Sequence, residues 1–162
     1  MMRSYMAKFT VNLFLPDKIG SMEYKRAPFT ISDDPSRLDM DAICDFLSRA
    51  YWADKRPRDV IERSIQYSLN FGVYDGIRQI GFARVVTDRA IFAYLCDVFI
   101  HEDYRGQALG KWMMECVMAH PDLQGMRRWC LLTRDAHGLY SQFGFTELAD
   151  ASRWMEKYDK TK

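Results

Sequence analysis

No apolar run in this chain approaches the ~18 residues that a membrane-spanning helix needs, and neither sign of charge dominates. Lys and Arg number 23 against 22 Asp and Glu, a formal net charge of +1. That balance supplies no broad basic field, so nucleic acid is not expected as a partner. The clusters Lys55-Arg56-Pro57-Arg58 and Arg127-Arg128 are short and read as solvated faces. Paired cysteine spacing is missing too. Cys44, Cys96, Cys116 and Cys130 stand singly in apolar segments with no C-x-x-C or C-x-x-H, which argues against structural zinc and for a reducing compartment. His101 and His120 show no ligand spacing, and no metal is expected. The early run "FTVNLFLP" is short, carries Asn12 and lacks a small-residue cleavage site. It does not read as a secretory signal, and the expectation is a cytoplasmic protein without a membrane partner.

What is present fits one globular domain. A chain of 162 residues can bury a single core, and 48% hydrophobic with 28% charged residues is an ordinary globular balance. Residues 1–25 differ from the rest and are expected to be an appendage, either an extra edge strand in which Phe9, Val11 and Leu13 alternate or a disordered segment. The domain proper is then 26–162, beginning with the short strand "PFTIS".

The periodicity beyond it predicts a helix over about 40–50, with Ile43, Phe46, Leu47 and Ala50 on one face, and a second over about 60–69. Asp75-Gly76 inside "FGVYDGIRQIGFARVV" is a hairpin signal, and "TDR" turns the chain into a third consecutive strand, "AIFAYLCDVFI". A helix to about Ala119, a strand over 127–133, a short helix over 136–143 and two closing strands in "GFTEL…RWMEKY" complete the order β-αα-βββ-α-β-α-ββ. This is an α/β (α+β) pattern: a mixed, mostly antiparallel sheet with helices on both faces.

Between the third of those strands and the helix after it lies "EDYRGQALGKW". A strand, a tight turn of small residues, a helix N-terminus and a cation at each end of the turn suit a phosphate. Orphan N–H groups and the positive helix end hold the anion. Two phosphate motifs fail here. The G-x-x-x-x-G-K-[ST] loop needs four residues between its glycines and a hydroxyl after Lys, whereas Gly106 and Gly110 enclose three and Trp112 follows Lys111. The dinucleotide fingerprint G-x-G-x-x-G needs a third glycine and a first parallel strand.

The run Arg105, Gly106, Gln107, Ala108, Leu109, Gly110 instead resembles the acetyl-CoA motif R/Q-x-x-G-x-G/A of the GNAT superfamily of N-acetyltransferases. It departs at Ala108, where the family has Gly; a positive φ there would cost alanine about 1 kcal/mol. "LYSQFGF", within residues 137–145, is similar to a second family element, L-Y-x-x-x-G-F, and the element order agrees over about residues 28–158. The chain is thereby identified as resembling a bacterial-type subgroup of that superfamily.

The resemblance implies the GNAT fold, with acetyl-CoA as co-substrate and an acetyl group moved to a primary amine of a small molecule or peptide by direct transfer. It implies that Val98, Phe99 and Ile100 lie on a strand diverging from its neighbour, with free backbone groups for the pantetheine arm. Residues 105–110 and Lys111 would hold the diphosphate. Thr133 would stand where many members carry Asn, and Asp135 would cap the next helix. Tyr140 is the expected acid that donates to the departing thiolate.

Asp97, a carboxylate in an apolar run, is either structural or functional, as substrate anchor or base. In the loop between the first two helices, Tyr51 and Trp52 either stack on substrate or pack the helix end, and Arg56 could grip a carboxylate. Tyr94 is a weaker candidate on the same side. A non-catalytic acyl-CoA-binding or regulatory module is the alternative reading, and a monomer or a homodimer fits either.

Overall fold

The computed structural model describes residues 20–53 and 56–159. Six strands form one sheet in sequential order: β1 (Glu23–Arg26), β2 (Phe29–Ser32), β3 (Leu69–Asp75), β4 (Arg78–Thr87), β5 (Phe92–Ile100) and β6 (Arg128–Leu131). All neighbours are antiparallel except β5 and β6, which run parallel with α3 (Leu109–Ala119) in the crossover. The other helices are α1 (Met40–Arg49), α2 (Arg58–Gln66) and the single turn α4 (His137–Tyr140). The meander forms as its turn chemistry predicts: Gly76 supplies the φ of 58° between β3 and β4, and the Asp88 carboxylate accepts three backbone N–H groups between β4 and β5.

Two apolar clusters sit on opposite faces of the sheet. Adjacent strand residues point to opposite sides. Ala83 and Val85 pack with Met113, Met114 and Val117 of α3, while Phe82 packs with Ile43, Leu47 and Ile61 of α1 and α2. Helix α1 is started by Asp39, whose carboxylate accepts from the N–H groups of Asp41 and Ala42. Its apolar stripe of Ile43, Phe46 and Leu47 is the one the spacing predicts, and each of these side chains is buried.

Two expectations change. Residues 23–25, assigned from sequence to the appendage, belong to the sheet, because Glu23 pairs with Ser32 in β1–β2. The strand expected around Phe9, Val11 and Leu13 lies outside the described residues. At the other end, "GFTEL…RWMEKY" forms no strand among the described residues: Ala151–Arg153 is a 3-10 turn and the flanking chain is irregular. Every residue from 146 to 159 is exposed, so the segment has no buried apolar face to set against the sheet. A cavity of about 520 Å³ lies between this segment and β6, lined by Trp129, Cys130, Phe145 and Trp154.

Candidate active site

The β5 strand is where the site takes shape. Phe82 pairs with Phe99 and Arg84 with Cys96, so Ala83 alone faces two residues, Asp97 and Val98. This is a bulge, and its backbone signature is a left-handed φ of 53° at Asp97. Aspartate tolerates that conformation better than the apolar residues around it. The bulge exchanges the faces of everything after it. Ala93 and Leu95 point toward α3; beyond the bulge, Val98 and Ile100 do so, and Phe99 turns to the α1–α2 side. There Phe99 stacks on Phe46 at 3.7 Å between ring centroids.

On its other edge β5 pairs with β6 only from Phe92 to Leu95. From Cys96 to Ile100 that edge has no strand partner among the described residues, so the two parallel strands splay apart. Backbone groups there are free to meet another chain or a ligand. The divergence expected at Val98, Phe99 and Ile100 is therefore present in the geometry. Phe99 offers only backbone to the cleft, because its ring is committed to the α1 core.

The loop and helix that follow keep an open N-terminus. Gly106 and Ala108 both have positive φ, 81° and 57°, and no side chain caps α3 at Ala108. The first N–H groups of a helix have no intrahelical partner, and here Gly106, Gln107 and Ala108 are exposed. Leu109 is buried in the core, so its side chain anchors the helix while its backbone remains at the turn. Lys111 is exposed and carries no ion pair among the described residues. Arg105 folds back: its Nε donates to the Ile100 carbonyl at 3.2 Å, tying the turn to the end of β5. A methyl group added at Gly110 would touch Ile100 and Leu139 at 4.0 Å. The strand end, the helix N-terminus and α4 thus converge on one point.

Tyr140, on α4, is 8% exposed and meets Phe145 edge-on at 6.0 Å. Burial pushes its phenol up to about 12, with smaller contributions from Tyr51 and Asp135. No described residue hydrogen-bonds its hydroxyl. Tyr51 is close because the α1–α2 connection reaches across the sheet end. Tyr51 and Trp52 pack edge to face at 4.9 Å, and the Arg134 guanidinium lies 3.8 Å from the Tyr51 ring centre. Both aromatics stay roughly half-exposed, 48% and 41%, so helix packing does not consume them.

Thr133 takes the part expected of Asp135. Thr133 Oγ1 accepts from Ala136 N–H at 3.0 Å and so ties down the start of α4. Its own O–H is left to donate. Asp135 makes no cap; it faces Arg134 at 3.6 Å.

For Asp97 the geometry fits the structural alternative, and Arg56 finds its carboxylate within the chain. Asp97 is 5% exposed, and both its oxygens are taken. Arg56 Nη1 donates to Oδ1 at 3.0 Å and Oδ2 at 2.9 Å, and Arg84 Nε donates to Oδ2 at 2.8 Å. Arg56 therefore grips a carboxylate of its own chain, and Asp97 is no free base. Tyr94 lies three residues earlier on the same face; burial, with Cys96 and Asp97 nearby, raises its phenol above the usual range. Arg84 and Arg134 are the residues that sequence reasoning passed over. Arg84 carried a usable signal, a charge inside the apolar strand "GFARVV", the same anomaly that singled out Asp97.

The "Acetyltransferase (GNAT) domain" family model matches residues 67–147, half of the chain. The Gibberella zeae protein FG08082, provisionally named an acetyltransferase, is 30% identical over 142 residues, covering 74% of this chain and 79% of its own length. The chain belongs to the GNAT acetyltransferase family. A crystal structure of a GNAT-family protein from Xanthomonas campestris pv. campestris is 46% identical, with a TM-score of 0.79 over 81% of this chain and 93% of that one. The six-stranded mixed sheet is thus a GNAT fold. A Clostridium acetobutylicum protein solved with acetyl-CoA shares the fold at 13% identity, with a TM-score of 0.55 over 85% of this chain and 96% of that one. The GNAT match spans the splay, the turn at 105–111 and α4, the three parts that converge. Among the described residues no helix is long and apolar enough to cross a membrane.

Proposed function

We propose that this GNAT chain moves an acetyl group from acetyl-CoA to a primary amine by direct transfer, with both substrates bound together. The observation that carries the proposal is the meeting of an uncapped α3 N-terminus with the unpaired edge of β5. An anion and an extended amide-bearing arm need those two features side by side, and coenzyme A has both groups.

Each residue then has a task. The exposed N–H groups of 106–110, with Arg105 and Lys111, hold the diphosphate through the helix end and two cations. The free backbone groups of Val98–Ile100 pair with the pantetheine arm, and an N–H there stabilises charge developing on the thioester oxygen. Thr133 adds a hydroxyl donor. Tyr140 stays neutral at physiological pH because burial raises it to about 12. A phenol at that value gives its proton to a thiolate near ~8.5 only uphill. Its part is to donate a hydrogen bond to the sulfur as the C–S bond breaks; the amine attacks the carbonyl carbon as its neutral form, its surplus proton leaves to solvent, and solvent protonates the departing thiolate. Asp97 positions Arg56 and Arg84 on the acceptor face, and Tyr51, Trp52 and Tyr94 frame the acceptor's approach.

The test is CoA release from acetyl-CoA with a panel of primary amines. The proposal expects release that depends on the amine. Binding of acetyl-CoA with no release for any amine would favour the non-catalytic acyl-CoA module, the reading to which the engaged Asp97 carboxylate lends support.

A further inference from the structure

Among the described residues, the Arg56–Asp97–Arg84 group has an unbalanced charge. Two guanidiniums share one carboxylate, and no other Asp or Glu among the described residues lies within ion-pair distance of either. The group is poorly solvated, with side-chain exposures of 25%, 2% and 11%. One positive charge is left over where few waters compensate it. Donors are left over as well. Arg84 spends Nε on Asp97 and Nη1 on Ser68 at 3.1 Å. Arg84 Nη2, and the Nε and Nη2 of Arg56, have no acceptor among the described residues, yet none is a buried orphan atom. They border space that solvent or a ligand enters.

The location matters. Arg56 is on the α1–α2 connection that carries Tyr51 and Trp52, and Asp97 is bonded directly to Val98 at the splay. The group lies on the α1–α2 face, across the sheet from α3.

We infer that Arg56 and Arg84 select an acceptor carrying a carboxylate as well as its amine. One carboxylate cancels the surplus charge, whereas a phosphate dianion would overshoot it, and the planar fork of a guanidinium matches a carboxylate with two parallel bonds. Asp97 is the positioning residue that holds both side chains, so that Arg56 presents its open Nε/Nη2 fork and Arg84 adds Nη2. This assignment names the substrate class of the site in the proposed function and rests on that reading.

Matched ligand pairs test it on the full chain: glycine against glycinamide, and β-alanine against β-alaninamide, by calorimetry with CoA bound and by acetyl transfer with acetyl-CoA as donor. The amide keeps the amine and the size and removes the charge. The carboxylates bind at least ten-fold more tightly, Arg56→Gln and Arg84→Gln erase that ratio, and Arg56→Lys retains part of it. The unsubstituted protein decides the matter if a variant does not fold: equal or weaker binding of both carboxylates overturns the inference. The two readings fail separately. Carboxylate-selective binding without acetyl transfer sinks the transferase and keeps the selectivity, while amides acetylated as well as acids keep the transferase and sink the selectivity.

Discussion

Arg84 Nε reaches Asp97 Oδ2 at 2.8 Å across neighbouring strands, and it does so on a strand that bulges at Asp97 itself. The bulge that turns Phe99 toward α1 also fixes this carboxylate between two guanidiniums. One local irregularity therefore reorders the faces of β5 beside Val98 and organises the charges on the α1–α2 side of the sheet.

Asp97→Asn retains the shape and the tolerance of left-handed φ but removes the charge, leaving two cations poorly compensated. Unfolding free energy from urea titration falls by about 3 kcal/mol, the usual scale for breaking one side of a buried pair. Asp97→Ala falls by about 1 kcal/mol more, because alanine pays the left-handed backbone penalty that asparagine largely avoids. Two variants as stable as the parent would remove the bulge-and-pair account.

Tyr140→Phe removes a hydroxyl that no described residue binds, so its effect belongs to the reaction and not to the fold. With an amine acceptor the variant's kcat drops on the order of 10²-fold. Its affinity for acetyl-CoA and its melting temperature stay near the parent's. An unchanged kcat would take the phenol out of the mechanism.

Ala108 holds a φ of 57° at the start of α3. Ala108→Gly relieves that strain, offset in part by extra freedom in the unfolded chain, for a net gain of about 0.5 kcal/mol. The melting temperature rises by about 1–2 °C, and acetyl-CoA binding holds or tightens. Ala108→Val, with a branched β-carbon at positive φ, moves both in the opposite direction. A valine variant that binds acetyl-CoA as well as the parent would show that the turn need not keep this conformation.

Alkaline pH tests the burial directly. Burial raises Tyr74 and Tyr140 from 10.0 to about 12, Cys96 from 9.0 to about 11 and Cys116 from 9.0 to about 12. Each folded-state value lies above the unfolded one, so the stabilisation is fully present below the unfolded pKa and is lost as pH rises through the folded value. Stability is therefore flat on this account up to about pH 9 and declines from there to about 12. Each group contributes at most roughly 1.4 kcal/mol of loss per pH unit between its unfolded and folded values. Urea titrations across that range should show the decline; a flat profile would mean that these groups are not buried.

The meander, α1, α3 and the turn at 105–111 were legible because local signals govern them: Asp75-Gly76 for the hairpin, the Ile43–Phe46–Leu47 stripe, and the small residues after Arg105. Tyr140 was singled out through its resemblance to a family element, since a buried tyrosine on one helical turn has no periodic signature. The Asp97–Arg84 pair was half legible. Each residue is a charge in an apolar strand, but the bulge that places them on one face is a tertiary effect of register, which alternation does not encode. The closing strands failed for a related reason. A run such as 144–158 becomes a strand only if a neighbouring edge receives it, and here those residues stay largely exposed.

The measurement that bears most directly on the account is thermal unfolding of the protein with acetyl-CoA, CoA, ATP and NAD in parallel. A ligand at ~100 times its Kd adds about 2.7 kcal/mol of stability. Acetyl-CoA and CoA should raise the midpoint by several degrees while ATP and NAD leave it unchanged, because only the former present both a diphosphate to the α3 N-terminus and an amide arm to the β5 edge. A shift with ATP or NAD and none with CoA would contradict the assignment of that turn, and the catalytic roles given to Val98–Ile100 and Tyr140 would fall with it.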